Sequence, residues 1–325
     1  MLSSAANIVQ SSIAVFVFAF LYFGAKDSFG ASCPDAIADV AVQGIDAECF
    51  LRHAERESEF VSDPSQRATL LAFIAWGHLE AGRPDEIEGL VNTISKLCSI
   101  ASESIDCNNY AAWASAAGGQ TALAREAAES SNRILSRSAI TPDTVFAFAD
   151  LAFAQAEAGL LEPAEATHHR VIAAATEYPD PLTQAFALSY LGYNWTLFRN
   201  PSWASEAIEG AEAALARVHG PDNRIPWVLN FLAVAEARIR DPRAAVTMQR
   251  AMTETGGLPD PAVKALLSVF LADGLVELGS RASASKLLQS SLSALPLVND
   301  AFDRTNLLTE AALVTFRLHS VPGSQ

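Results

Sequence analysis

Two adjacent histidines, His168 and His169, are the first residues with a claim to chemistry, and Glu165 lies three and four positions before them. Neighbouring residues on a helix point about 100° apart, so the two rings do not readily share one ion. Only a weak surface contact with Glu165 is open to them. The other histidines, His53, His78, His219 and His319, have no ligand spacing. Glu86 with Glu88, and Glu126 with Glu129, are carboxylate pairs on segments expected to form an outer, solvated helix face. Asn194-Trp195-Thr196 fits a glycosylation acceptor but falls inside a strongly helical stretch. No phosphate loop, dinucleotide fingerprint or nucleophile elbow occurs. The expectation is no catalytic group, no metal and no cofactor.

The cysteines carry more information. Cys33, Cys49, Cys98 and Cys107 are even in number and follow an apolar leader. In an exported chain that suggests two disulfides. Three pairings are possible, and the local ones are preferred: Cys33 with Cys49 and Cys98 with Cys107. The alternative is reduced thiols buried as small hydrophobes. The leader is Ser12 to Ala25, SIAVFVFAFLYFGA. Its length suits a signal-peptide core and is short for a free membrane span. Residues 1–30 are therefore expected to be a signal peptide cut before Ala31, or an uncleaved anchor. In the second case residues 5–25 tether the rest to the inner membrane from the periplasmic or another extracytoplasmic side.

The net charge of -15 disfavours nucleic acid as a partner. It is uneven, with 14 acids against 5 bases between residues 34 and 110.

The elements that position all these residues follow from a spacing. Gly82, Gly119, Gly159, Arg199, Arg240 and Gly279 lie 37, 40, 40, 41 and 39 residues apart. Seven positions before each is a small residue: Ala75, Ala112, Ala152, Gly192, Ala233 and Ala272. Five after each is another apolar, usually small one: Ile87, Ala124, Ala164, Ala204, Ala245 and Ala284. A register held at three offsets predicts an array of helix pairs whose members cross at the small residues. Gly82-Arg83-Pro84 places glycine after one helix and proline at the start of the next. Thr141-Pro142 predicts a capped helix start.

The fold expected is all-α, a right-handed α-solenoid of about six helix pairs over residues 65–295. Capping helices occupy residues 31–64 before it. A capping helix and tail, residues 296–325, follow it. The polar residues Asp300, Asp303, Arg304, Glu310 and Arg317 are expected on the exposed face of that last helix.

The pattern resembles the tetratricopeptide repeat. Leu188, Leu191, Gly192, Trp195, Ala204 and Ile208 stand where that family places a large residue, a Leu-Gly pair, an aromatic, an alanine and a second large residue. The repeats here are longer than the family's 34 residues. The resemblance implies a concave groove for peptides, lined by the first helix of each pair. The position six before the anchor would face it, and reads Trp76, Trp113, Phe153, Tyr193, Val234 and Asp273. Asn109, Ser189 and Asn230 would stand beside these to hydrogen-bond a peptide backbone. These aromatics form either a binding ladder or a packed core. The function expected is an exported, non-enzymatic scaffold or adaptor for a protein or peptide. The alternative is a small-ligand or glycan-binding module, and an enzyme ranks below both.

Overall fold

The computed structural model describes residues 46–101, 104–198 and 200–319. These residues are all-helical, with no strand among them. Fourteen α-helices follow in order: α1 Ala47–Ser58, α2 Pro64–Glu80, α3 Ile87–Ile100, α4 Ile105–Ala117, α5 Thr121–Leu135, α6 Val145–Glu157, α7 Leu161–Thr176, α8 Pro181–Leu197, α9 Pro201–Leu215, α10 Ile225–Arg238, α11 Ala244–Gly256, α12 Pro261–Glu277, α13 Arg281–Ser293 and α14 Ala301–His319. The leader, and Cys33 with its expected bond to Cys49, lie outside the described residues. Among the described residues no helix is long and apolar enough to cross a membrane.

Local chemistry sets the boundaries. Asp63, Ser104, Asp180 and Asp260 accept hydrogen bonds from the free backbone N–H groups at the starts of α2, α4, α8 and α12. Prolines occupy the first turn of α2, α8, α9 and α12, where no N–H is needed. The spacing anchors are helix stops. Gly82, Gly119, Gly159 and Gly279 have φ between 70° and 74°. The residue after each donates its N–H back to the last turn, as Arg83 does to the His78 carbonyl at 2.8 Å. Arg240 takes the same turn with φ 58°, a conformation that glycine adopts more cheaply.

Two boundaries differ from expectation. The helix α6 begins at Val145, not Thr141, because Thr144 Oγ1 accepts the Thr141 N–H and the intervening residues form a turn. In the fifth pair the residue buried at the crossing is Ala244, and Ala245 is exposed. The buried position there follows Arg240 by four residues, so the offset slips by one. Elsewhere the crossing residues are fully buried, among them Ala75, Ala112, Ala152, Ala124, Ala164 and Ala204.

The six expected pairs are α2–α3 through α12–α13, each packed hairpin-fashion. Within this row α2, α4, α6, α8, α10 and α12 touch in succession and form an inner layer, with α3 to α13 outside. The flanking helices do not cap two open ends. They pack on each other: α14 lies against α12 on one side and α2 on the other, and α1 covers it from outside. Chain start and chain end thus make a seventh pair and close the row into a ring. Arg304 Nε donates to Glu57 Oε2 at 2.8 Å across a separation of 247 residues. Gly77 on α2 leaves room for Leu51 of α1; a Cβ there would lie 2.5 Å from the leucine Cδ2. The polar face expected on α14 is accordingly corrected: Glu310 and Arg317 turn inward and Arg304 is tied to α1.

Candidate functional site: the centre of the ring

The residues six before each anchor lie on the inner-layer helices and are buried. Trp76, Trp113, Phe153 and Tyr193 are all buried, none more than 4% exposed. Their rings touch one another or their neighbours: Trp76 lies 5.2 Å from Trp113, Trp113 5.7 Å from Phe153, and Tyr193 5.4 Å from Phe231. Tyr193 reaches past α10 to Phe270 on α12 at 6.5 Å. A second layer, Phe73, Tyr110, Tyr190, Phe231 and Phe270, packs against the first. An exposed aromatic groove is therefore not what this arrangement presents.

The donors of the three hydrogen-bonding residues are used internally, while Asn109 Oδ1 and Asn230 Oδ1 have no hydrogen-bond partner among the described residues. Asn109 Nδ2 donates to the Ala147 carbonyl at 3.1 Å. Ser189 Oγ donates to the Phe186 carbonyl at 3.0 Å. Asn230 Nδ2 donates to the Pro226 carbonyl and to Thr255 Oγ1. Asn194, the sugar acceptor of the sequon, is fully buried and donates to Asp150 at 3.3 Å.

Two ionisable clusters lie among the aromatics; the register marked Asp273 and Tyr193 as groove-facing, but no sequence pattern brought either cluster together. The first is centred on Asp150 of α6. Tyr190 donates to its Oδ1 at 2.7 Å and Tyr110 to its Oδ2 at 3.2 Å. Burial pushes this carboxyl up to about 8, against the pull of those hydrogen bonds. Burial also carries both tyrosines well above their ordinary value.

The second cluster sits under the closing helix. Asp273 of α12 accepts from Arg238 Nη2 of α10 at 2.9 Å and from Arg317 Nη1 of α14. Burial works to raise this carboxyl, but the two guanidiniums outweigh it and hold it low. Arg317 also reaches Glu80 of α2 at 3.7 Å. Arg238 lies over the Tyr193 ring at 5.0 Å. Glu310 of α14 completes the group. It is 5% exposed, its Oε2 has no hydrogen-bond partner, and burial beside Asp273 pushes it up to about 8.

The histidine pair is a separate matter. His168, His169 and Glu206 bring ligand atoms within 4.8 Å of one another, with Glu206 taking the place expected of Glu165. The hydrogen bonding works against a metal. Trp195 Nε1 donates to His168 Nδ1 at 2.8 Å, and an indole N–H can only donate. Nδ1 is then the bare nitrogen and the proton sits on Nε2, facing Glu206 Oε2 at 3.3 Å. A bound ion would need that nitrogen's lone pair. A metal-ligating histidine usually donates from its second nitrogen, the reverse of what Trp195 demands. The ring stacks on Trp203 at 5.3 Å and serves as packing between α7, α8 and α9.

The expected Cys98–Cys107 bond is present, with Cα atoms 5.4 Å apart, and ties the end of α3 to the start of α4. A cleft of about 680 Å³ lies beside the 216–224 and 257–260 connections, bordered by Arg250 and Glu254 of α11. No protein-family model matches this chain, and no curated protein matches it either.

Proposed function

We propose that the protein is an exported, non-enzymatic scaffold that holds a protein partner on the outside of the ring. The observation that carries this is the burial of Trp76, Trp113, Phe153 and Tyr193 on the inner layer, which contrasts with apolar side chains exposed elsewhere. Among the described residues six large apolar side chains stand in water, namely Phe60, Ile100, Leu123, Leu161, Val246 and Leu297. Three of them belong together. Leu297, Phe60 and Ile100 fall on or beside three successive connections at one end of the ring, between α13 and α14, α1 and α2, and α3 and α4. An apolar strip across successive connections suits a protein contact. The disulfide fits an extracytoplasmic site. The tetratricopeptide likeness and the right-handed succession of pairs belong to the same proposal. A small-ligand module is favoured only by the open cleft near Arg250.

The test is capture of native extracytoplasmic partners by the parent and by Phe60→Asp, Ile100→Asp and Val246→Asp. The first two should lose the partner with unchanged melting, and Val246→Asp should keep it. Equal capture by all four would remove the strip from consideration.

A further inference from the structure

The two ends of the ring differ in charge. Consecutive helices pack hairpin-fashion, so the seven connections between pairs gather at one end and the six hairpin turns at the other. Among the described residues the connections hold eight acids and three arginines, whereas the hairpin turns hold three of each. The acid excess therefore lies at the end where Phe60, Ile100 and Leu297 are exposed.

The connections that carry the strip are the most one-sided. Residues 59–63, 101–104 and 294–300 contain no Lys or Arg. Glu59, Asp63 and Asp300 are exposed on them, and Asp106 and Asp303 stand in the first turns of α4 and α14. These acids crowd one another. Burial, and then Asp63, push the Asp106 carboxyl up to about 6. Burial, and then Asp300 and Asp260, do the same to Asp303. The bases nearest in sequence, Arg56, Arg67, Lys96 and Arg304, lie three to five residues away inside helices, and Arg304 is bound to Glu57. Some of the acids have a structural duty, since Asp63 and Asp300 accept backbone N–H groups at the starts of α2 and α14. Glu59 has no such duty. It directly follows α1, where the helix dipole disfavours a negative charge.

We propose that the strip receives a cationic amphipathic helix of a protein partner, with its apolar face on Leu297, Phe60 and Ile100 and its Lys or Arg residues beside the flanking acids. This rests on the strip being the partner site. Neighbouring pairs stand about 10 Å apart, the usual helix–helix spacing, so the three side chains step round the ring at about that interval. A helix repeats an apolar position every seven residues, at about 10.5 Å, and about four turns reach from the first to the third. The Cys98–Cys107 bond closes the loop that carries Ile100 and holds one end of the strip in place. A second copy of this chain fits badly, because a two-fold contact through the strip brings the same acids face to face. An anionic membrane surface is repelled for the same reason.

The experiment is fluorescence anisotropy with the full chain and a labelled helical peptide of about 18 residues, leucine at every third or fourth position and lysine between. Its counterpart carries glutamate for lysine. The parent should bind the glutamate peptide at least about tenfold more weakly than the lysine peptide. Raising NaCl from about 50 to about 500 mM should weaken the lysine peptide by about tenfold. Phe60→Ser and Ile100→Ser remove apolar area without adding charge, and each should weaken binding severalfold with unchanged melting. Glu59→Lys should weaken it by about threefold to tenfold. Glu126→Lys makes the same charge change on exposed α5, near the hairpin end, and should alter it by less than about twofold.

No binding of the lysine peptide, or equal affinity for the two peptides, would overturn the proposal. Binding that Phe60→Ser and Ile100→Ser leave unchanged would be surface charge alone and would overturn it too, as would a Glu59→Lys variant that matches Glu126→Lys. Binding to phosphatidylglycerol vesicles that Phe60→Ser abolishes would replace the proposal with a membrane contact. A dimer in sedimentation velocity that Phe60→Ser breaks would replace it with self-association. The strip reading is judged separately, by native partners lost in Phe60→Asp and Ile100→Asp. Such a loss beside a failed lysine peptide would mean that the strip takes a partner of other chemistry.

Discussion

Gly192→Ala sets helix propensity against packing at one atom. Alanine in a helix interior is favoured over glycine by about 0.8–1.0 kcal/mol. Gly192, however, sits where α8 crosses α9. A Cβ there would lie 3.0 Å from Ile208 Cγ1, 3.3 Å from the Ala204 carbonyl oxygen and 3.3 Å from the Ile208 nitrogen. The last two are backbone atoms, so relief means moving a helix rather than turning a side chain. Overpacking of this kind costs about 1–3 kcal/mol. The net effect expected is a destabilisation of about 1 kcal/mol, between zero and 2. Gly89 on α3 is the control, because nothing lies within 4 Å of the Cβ it would gain. Gly89→Ala should therefore stabilise, by up to about 1 kcal/mol. Urea midpoints of the parent and both variants are the measurement. Shifts of the same sign in the two variants, or a Gly192→Ala midpoint at or above the parent's, would refute the crossing geometry.

Arg240→Gly should raise stability by about 1 kcal/mol, because arginine there holds φ at 58°; an unchanged or lower urea midpoint would count against it. Stability should fall as pH rises from about 5 to about 8. Asp150 and Glu310, each at about 8, and Glu157 and Glu236, each at about 7, keep protons in the folded state that the unfolded chain has released. Below that range the slope reverses, because Asp273, Asp180, Asp222 and Asp241 are held low and favour folding only while ionised. The maximum is expected near about pH 5, and urea midpoints that climb from pH 5 to 8 would contradict this assignment. Zinc at micromolar concentration should leave the melting temperature unchanged at pH 7; a stoichiometric rise would show that His168 Nε2 can be bared despite Trp195.

The pair-by-pair plan was legible because every pair repeats the same stops. Gly82, Gly119, Gly159 and Gly279 need left-handed backbone, and small residues mark each crossing. Closure was not legible. It joins α1 to α14 through residues such as Glu57 and Arg304, which share no motif and lie 247 positions apart. The inward positions of Trp76, Trp113, Phe153 and Tyr193 were found by register, but their exposure was not. The concave face of an open row and the centre of a closed one occupy the same register, and only the seventh pair separates the two cases. Asp150 escaped notice and Glu310 was expected on an exposed face, because a lone acid on a helix reads as solvated. His168 drew attention for its neighbour in sequence, whereas its determining partner is Trp195, 27 residues on.

Closure also changes how such a chain can vary in length. An open row of helix pairs tolerates gain or loss of a whole repeat, because each unit leans only on its neighbours and the ends are covered separately. Here the outer helix of the last pair is supplied by the beginning of the chain. Deleting one pair would leave α14 and α2 facing each other across the wrong angle, and adding one would leave them apart. Seven is thus a closed count, fixed by the circumference. Duplication of a single repeat, the usual way such arrays grow, is lethal to this one.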